Sequence, residues 1–419
     1  MVFATALAIG CNNQKFLVIA SGLFFLILYI ILIQFDSPKD DILVFFDYSQ
    51  AFKEGTLFDN GGFSEYPPLA WIFILLPGLF TDSLQTYYMI YAAIDVICMF
   101  IISVVMIRVC EGRTNFLFIL ILIYIIITSI YARDAVMKFD IIAVMFMALS
   151  LMMFLNKKYY GSVLFAVIGG LIKLFPLMVI IVYLFMLLRE KDGLVELSKG
   201  ITCCIAVFCS IVIILFLTGF DMDILFGFVS FQSDRGFHIE SMMGTISVVL
   251  CNVMGWPTAY VPNYHTYDID NQICDALLNS WSAIMIVVLI VSISLIFFGC
   301  MKKQIKDEKV RFKILTASVF FLLLVCLLIN KVFSTQFLQW IYPLMIMFLC
   351  YRKVSDIVIF AVMYMATMLI SVDFLSSSNQ TLLLARDILL IVLLIFSASY
   401  VLFGRWDIIG KDCKECQSS

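Results

Sequence analysis

Away from its lysine- and arginine-rich loops, this chain keeps a small set of ionisable residues whose types suit group transfer. They fall in five places: Asp40-Asp41; Arg133, Asp134, Lys138 and Asp140; Lys173; Asp234, Arg235, His238 and Glu240; and Lys331. A carboxylate in a low-dielectric cleft can act as general base toward a hydroxyl. Several cations aimed at one point suit a phosphate or pyrophosphate leaving group. A cavity embedded in a membrane suits a lipid tail. A donor activated through a lipid-linked phosphate, together with a hydroxyl acceptor, would use all three features. The competing reading is that Arg133–Asp134 and Arg235–Glu240 merely pair and hold loops together.

The elements that must position these groups are set by composition. Of 419 residues, 63% are hydrophobic and 14% are charged, against about 45–50% and about 25% in soluble domains. That excludes a soluble enzyme, a disordered chain and a nucleic-acid binder. Apolar runs of roughly 17–25 residues also exclude a barrel of alternating strands. The expected fold is all-α, a polytopic transmembrane helical bundle. Spans are expected near residues 16–35, 86–107, 114–131, 139–155, 160–172, 174–188, 200–219, 280–300, 312–329, 337–350, 355–372 and 387–403. The run from Phe16 to Phe35 reads as a retained span, because no small-residue cleavage site follows it. Lys173 and Pro176 interrupt the 160–188 stretch, which is either two spans or one kinked helix. Residues 69–80 and 242–254 are too short to cross easily and read as re-entrant or interfacial. With the N-terminus inside, 19 of the 27 lysines and arginines fall in cytoplasmic loops. This gives an even count near 12, with both termini cytoplasmic. One transmembrane domain over 1–403 and a cytoplasmic tail over 404–419 complete the organisation.

The cysteines inside apolar runs, Cys350 among them, read as small buried hydrophobes. Cys251 and Cys274 fall on the outer side, where a bridge between them is an option. Cys413 and Cys416 form a lone CxxC in the tail, a weak metal or redox signal. The sequon at Asn379 lies close to the membrane, which argues against its use. The long acidic segment 36–66 forms the first outer loop, and long loops among short connections are usually functional. Pro67 and Pro68 restrict the residues before them and turn that loop back toward Leu69.

Four stretches carry a resemblance. Asp41-Ile-Leu-Val-Phe-Phe-Asp-Tyr, Gly55 and Glu65-Tyr-Pro-Pro-Leu69 with Pro77 form the first. The others are Gly169-Gly-Leu-Ile-Lys-Leu-Phe-Pro176, Arg235-Gly-Phe-His-Ile-Glu-Ser241, and Asn330-Lys-Val-Phe-Ser-Thr-Gln-Phe-Leu-Gln-Trp-Ile-Tyr-Pro343. In this order they resemble the GT-C membrane glycosyltransferases, and within them glycosyltransferase family 87, the polyprenyl-phosphate-mannose-dependent mannosyltransferases. Phe45 departs from a frequent tyrosine. Thr335 departs from a frequent proline and would loosen that turn.

The resemblance implies a GT-C-like bundle with a long first extracytoplasmic loop. It implies transfer of a sugar, mannose by default, from a polyprenyl-phosphate donor to a hydroxyl of a lipid-linked or cell-surface glycan acceptor, on the extracytoplasmic face of a cell membrane. Asp41 takes the place of the general base in an inverting displacement, with Asp40 as its rival. Arg235, Lys331 and Lys173 are candidates for the donor phosphate, and His238 for phosphate or sugar unless it is a packed polar residue. Gln336 and Trp340 are placed toward the sugar, although Trp340 also suits an interfacial anchor. Glu65, Tyr66 and Glu240 are acceptor or sugar candidates, with Glu65 read first as a structural acid ahead of Pro67. Asp95, in mid-span, is expected to turn inward to a partner. Some members of the wider superfamily use a divalent metal such as Mg or Mn; no tight ligand cluster is evident here. Two other functions fit the composition: a transporter or flippase of lipid-linked sugars, which should show two related halves, and a non-catalytic membrane partner.

Overall fold

The computed structural model describes residues 14–57, 65–217, 221–263, 266–302, 308–377 and 380–403. The sequon at Asn379 and the tail cysteines lie outside the described residues, as do the side chains of Arg133, Asp134 and Asp234. The described residues form 16 α-helices and one small hairpin. In chain order the helices are α1 (Gln14–Phe35), α2 (Asp41–Lys53), α3 (Ala70–Leu75), α4 (Leu84–Cys110), α5 (Leu117–Ala135), α6 (Asp140–Leu155), α7 (Tyr159–Ile172) and α8 (Met178–Leu187). Then come α9 (Lys191–Leu217), α10 (Met222–Asp234) and α11 (Met242–Met254), the strands β1 (Ala259–Asn263) and β2 (Thr266–Asp270), α12 (Gln272–Lys302), α13 (Glu308–Leu328), α14 (Tyr342–Leu349), α15 (Val354–Ser377) and α16 (Gln380–Phe403). Short 3-10 turns sit at Pro77–Phe80, Phe175–Leu177 and Thr335–Trp340.

Seven helices, α1, α4, α9, α12, α13, α15 and α16, are long and apolar enough to cross a membrane, the pattern of a multi-pass membrane protein. Shorter apolar helices stand at five further expected positions, at Leu117–Ile130, Asp140–Leu155, Tyr159–Ile172, Phe175–Leu187 and Thr335–Leu349. Burial separates centre from periphery. In α13, 83% of the most apolar window is buried inside the protein, against 6% in α9. On α9, Ile211, Ile213, Ile214, Phe216 and Leu217 are exposed on more than one face. Such a surface suits hydrocarbon, where apolar side chains lose nothing by exposure.

The 160–188 stretch is two helices folded back on one another. Lys173 is extended (φ −154°, ψ 132°), which ends α7, and Phe175–Leu177 makes a 3-10 turn before α8. The return passes so close that a side chain at Gly169 would be tight and one at Gly170 would clash. A Cβ on Gly169 would stand 3.1 Å from Pro176, and one on Gly170 would stand 2.4 Å from Leu177. At the far end, Tyr159 Oη donates to Glu190 Oε1 at 2.9 Å, so the start of α7 lies beside the end of α8. Ser150 and Tyr183 hydroxyls meet at 2.9 Å between α6 and α8.

Several sequence expectations are corrected. The 36–66 segment is not all loop. Ile42, Phe45 and Ser49 are buried on one face of α2, Asp41 sits in its first turn and Lys53 in its last, as the helix dipole favours. The segment 255–279 holds a β-hairpin paired from Ala259↔Asp270 to Asn263↔Thr266. The all-α expectation had no place for it. Cys251 and Cys274 are free thiols, and Cys274 Sγ lies 3.0 Å from Ser247 Oγ instead. Cys350 is bonded to Cys110, 240 residues away, a pairing that spacing could not suggest. Asp95 is fully buried, as expected, yet neither of its carboxylate oxygens has a hydrogen-bond partner.

The helix α2 is held against the Pro77–Phe80 turn by contact at Gly78, where an added Cβ would stand 2.4 Å from Ser49 Cβ. Ser49 Cβ is fixed to its backbone and cannot yield. Gly78→Ala is therefore expected to destabilise the detergent-solubilised protein by about 1–3 kcal/mol in thermal unfolding. The Ser49→Gly change should recover most of that loss in the double variant, and no recovery would mean that the contact is not what limits this interface.

Candidate functional site

A cavity of about 1010 Å³ opens where the start of α2, the Glu65–Pro67 loop, the start of α6, the break after α7, the end of α10 and the 330–340 segment converge. Its wall includes Asp40, Asp41, Glu65, Tyr66, Lys173, Arg235, Lys331, Gln336 and Trp340, nine of the eleven residues to which the resemblance gave a site role, together with Lys138 and Asp140. His238 and Glu240 are not in the lining.

Asp40 and Asp41 both reach the cavity because the backbone turns sharply at Asp40, whose φ is +51°. A side chain other than glycine rarely adopts that region, and such strain tends to be kept where a site needs it. Asp40 stays the more exposed acid, 3.9 Å from Lys39. Asp41 lies deeper and its Oδ1 meets Lys138 Nζ at 2.6 Å. A second pair sits beside the first. Lys173 Nζ is 2.7 Å from Asp140 Oδ1, which also accepts from Trp340 Nε1 at 2.6 Å. Lys173 further lies over the rings of Phe139, Phe337 and Trp340 at 5.2, 4.7 and 5.6 Å. Trp340 is stacked against Phe175 and Phe337, each at 4.3 Å between centroids. Its ring is thus part of the packed wall.

The proline loop is tied to the same place. Leu69 N–H donates to Leu171 O at 3.0 Å, which fixes the loop's exit to the end of α7. Tyr66 packs edge-on to Phe139 at 4.8 Å and to Phe45 at 5.9 Å. Phe45 is fully buried there, so a tyrosine hydroxyl at that position would need a partner. Glu65 accepts from Tyr48 Oη at 3.4 Å. Burial first, and then the neighbouring Glu65 charge, push the Tyr48 phenol up, which keeps it a donor.

The opposite wall is two knitted segments. Lys331 Nζ donates to Arg235 O at 2.7 Å, and His238 N–H donates to Lys331 O at 3.0 Å. Residues 237–239 join the hairpin through Ile239 N–H to Tyr267 O and Ile269 N–H to Phe237 O. The Arg235 guanidinium lies over Phe231 at 5.5 Å. Behind this wall, Thr335 Oγ1 donates to Glu240 Oε2 at 3.0 Å. Proline could not make that bond, so Thr335 ties the turn down where loosening was expected. Arg386, fully buried on α16, donates to Glu240 O and to Asp387. His238 is buried beside it and accepts Glu240 N–H at Nδ1, which requires the neutral ring. Burial, and next the Arg235 charge, lower its pKa to about 4.

Lys138 and Asp140 were named in the sequence without an individual role, and Arg386 was not named. An acid opening an apolar run, and an arginine within one, were the available signals. The apolar lining from Phe228, Phe231, Trp281, Met285 and Leu289 gave none, because these residues read as ordinary helix faces. Among the described residues no group of three or more His, Cys, Asp or Glu is placed to hold a metal ion. A divalent cation needs several converging oxygens, whereas Asp41 and Asp140 each face a lysine, so these residues do not fit that ion. No protein-family model, curated protein or solved structure matches this chain.

Two outcomes follow from this geometry. The side chain of Asp140 is 2% exposed and that of Asp41 is 31% exposed. Asp140→Asn, which leaves Lys173 facing no charge, is expected to cost about 3 kcal/mol in thermal unfolding, and Asp41→Asn less than about 1 kcal/mol. Equal costs would contradict the distinction. The second concerns acid. The folded-state pKa of His238 lies below the ordinary 6.5, so the unfolded chain binds the proton first. Stability is then complete above that value and falls as pH drops through the window toward 4, by about 3 kcal/mol in all. A thermal-unfolding series from pH 7 to 4 should show a shallower loss in His238→Gln than in the parent.

Proposed function

We propose that this protein is an integral membrane glycosyltransferase that moves a hexose, mannose by preference, from a polyprenyl-phosphate donor to a hydroxyl of a lipid-linked or cell-surface glycan. The observation that carries this reading is the convergence on one cavity of Asp41, Lys173, Arg235, Lys331 and Gln336, drawn from segments far apart in sequence. These are the residue types that an inverting transfer from a phosphate leaving group requires. The apolar lining contributed by α10 and α12 suits the donor's lipid, and the polar lining at α2 suits the acceptor.

In this reading the acceptor hydroxyl gives its proton to Asp41 as its oxygen attacks the anomeric carbon. The bond from that carbon to the phosphate oxygen breaks with its electron pair left on the phosphate. One negative charge thus passes from Asp41 to the leaving group. Arg235 offers a bidentate contact and Lys331 a point charge to that phosphate. In this reading five of the eight shorter apolar helices among the described residues also cross, which with the seven long ones gives 12 spans, both termini cytoplasmic and the cavity on the extracytoplasmic face of the cell membrane. The Glu190–Tyr159–Arg311 cluster then belongs to the cytoplasmic end, where Arg311 donates to Glu190 at 2.8 Å.

The test is transfer of radiolabelled mannose from polyprenyl-phosphate-mannose to a membrane glycolipid fraction by the purified protein. Asp41→Asn is expected to lower transfer by at least about 10³-fold with the thermal unfolding profile kept. An unaffected rate would remove Asp41 as base. Movement of labelled donor lipid across proteoliposomes without any acceptor would favour a flippase instead.

A further inference from the structure

The two ion pairs in the cavity are built differently, and the difference assigns a role to Lys138. The Lys173–Asp140 pair is locked, with Asp140 buried and also bonded to Trp340, and with Lys173 ringed by three aromatic side chains. The Lys138–Asp41 pair is partly open on both sides, with side chains 23% and 31% exposed, and both residues face the cavity. The ammonium holds Asp41 Oδ1 at 2.6 Å, and a cation that close weakens the whole carboxylate as a base. Moving the ammonium away strengthens the base. A bound phosphate supplies a second anion for the ammonium, and the charge that phosphate gains in the transfer matches the charge Asp41 loses.

We propose that Lys138 is a cation exchanged between Asp41 and the phosphate of the bound lipid. It neutralises Asp41 in the resting site, moves to the phosphate when a phosphorylated lipid binds, and so frees the Asp41 carboxylate for the acceptor. Lys138 is a four-carbon ammonium on a flexible stem, suited to a contact that changes partner. It stands two residues before Asp140, in the bend between α5 and α6. Lys173 remains with Asp140 throughout. This inference rests on the reading of the cavity as a site for a lipid-linked phosphate.

The test is a double-mutant cycle on binding of undecaprenyl phosphate to the full-length protein in detergent, with undecaprenol as the control for the tail alone. Lys138→Met should weaken undecaprenyl phosphate binding by about tenfold or more, and Lys138→Arg should hold it within about threefold. Asp41→Asn should tighten binding by about fivefold or more, since it releases the ammonium, and that tightening should vanish when Lys138 is already Met. Undecaprenol binding should be unchanged in all variants, which also reports an intact cavity. Tightening by Asp41→Asn that is equal in both backgrounds would overturn the exchange and leave Lys138 a strut for α2. Failure of the parent protein to bind undecaprenyl phosphate at all would overturn the functional reading itself, and this inference with it.

Discussion

One buried carboxylate holds the cavity together. Asp140 opens α6, receives Lys173 from the break between α7 and α8, and receives the indole N–H of Trp340 from the far end of the 330–340 segment. Three stretches separated by as much as 200 residues thus meet on one oxygen atom. The arrangement is expensive to desolvate and is repaid only by having both donors in place. It explains why Lys173 is extended, why α7 stops there, and why the aromatic rings of Phe139, Phe175, Phe337 and Trp340 gather around it.

Everything that faces the cavity is positioned from that point outward. The fold-back after Lys173 needs Gly169 and Gly170, and its end fixes the proline loop through Leu171. The loop carries Glu65 and Tyr66, and Tyr66 in turn packs on Phe45 of α2, which presents Asp41. On the other wall the same division recurs. Glu240, Thr335, Arg386 and neutral His238 form a buried frame, while Arg235, Lys331 and Gln336 face the cavity. The chain therefore places its few charges in two ways, some as buried struts and some in the cavity lining. The lysine beside Asp41 sits between these classes.

Much of this was legible in the sequence. Long apolar runs located the helices because a membrane demands their length, and the scarcity of charge made Asp41, Arg235 and Lys331 conspicuous. The interruption at Lys173 and Pro176 marked the hairpin, although the choice of two antiparallel helices rests on contacts such as Tyr159 with Glu190 and Gly170 beside Leu177. What sequence could not supply was contact. Nothing in the spacing distinguishes Arg235, in the wall, from His238 and Glu240, behind it, since all three lie within six residues of chain. The helix α2 hid inside an acidic loop because its buried face is only three residues wide. The Cys110–Cys350 link and the Glu240–Arg386 contact join residues more than a hundred positions apart, a distance over which periodicity carries no information.

The most direct measurement is a cryo-electron microscopy structure of the full-length protein with a non-transferable polyprenyl-phosphate-mannose analogue. The account predicts the phosphate within hydrogen-bond reach of Lys331 or Arg235, the anomeric carbon facing Asp41, and the lipid along Phe231, Trp281 and Met285. Lys173 should still be on Asp140. A phosphate bound away from this cavity, or an anomeric carbon on the side remote from Asp41, would contradict it.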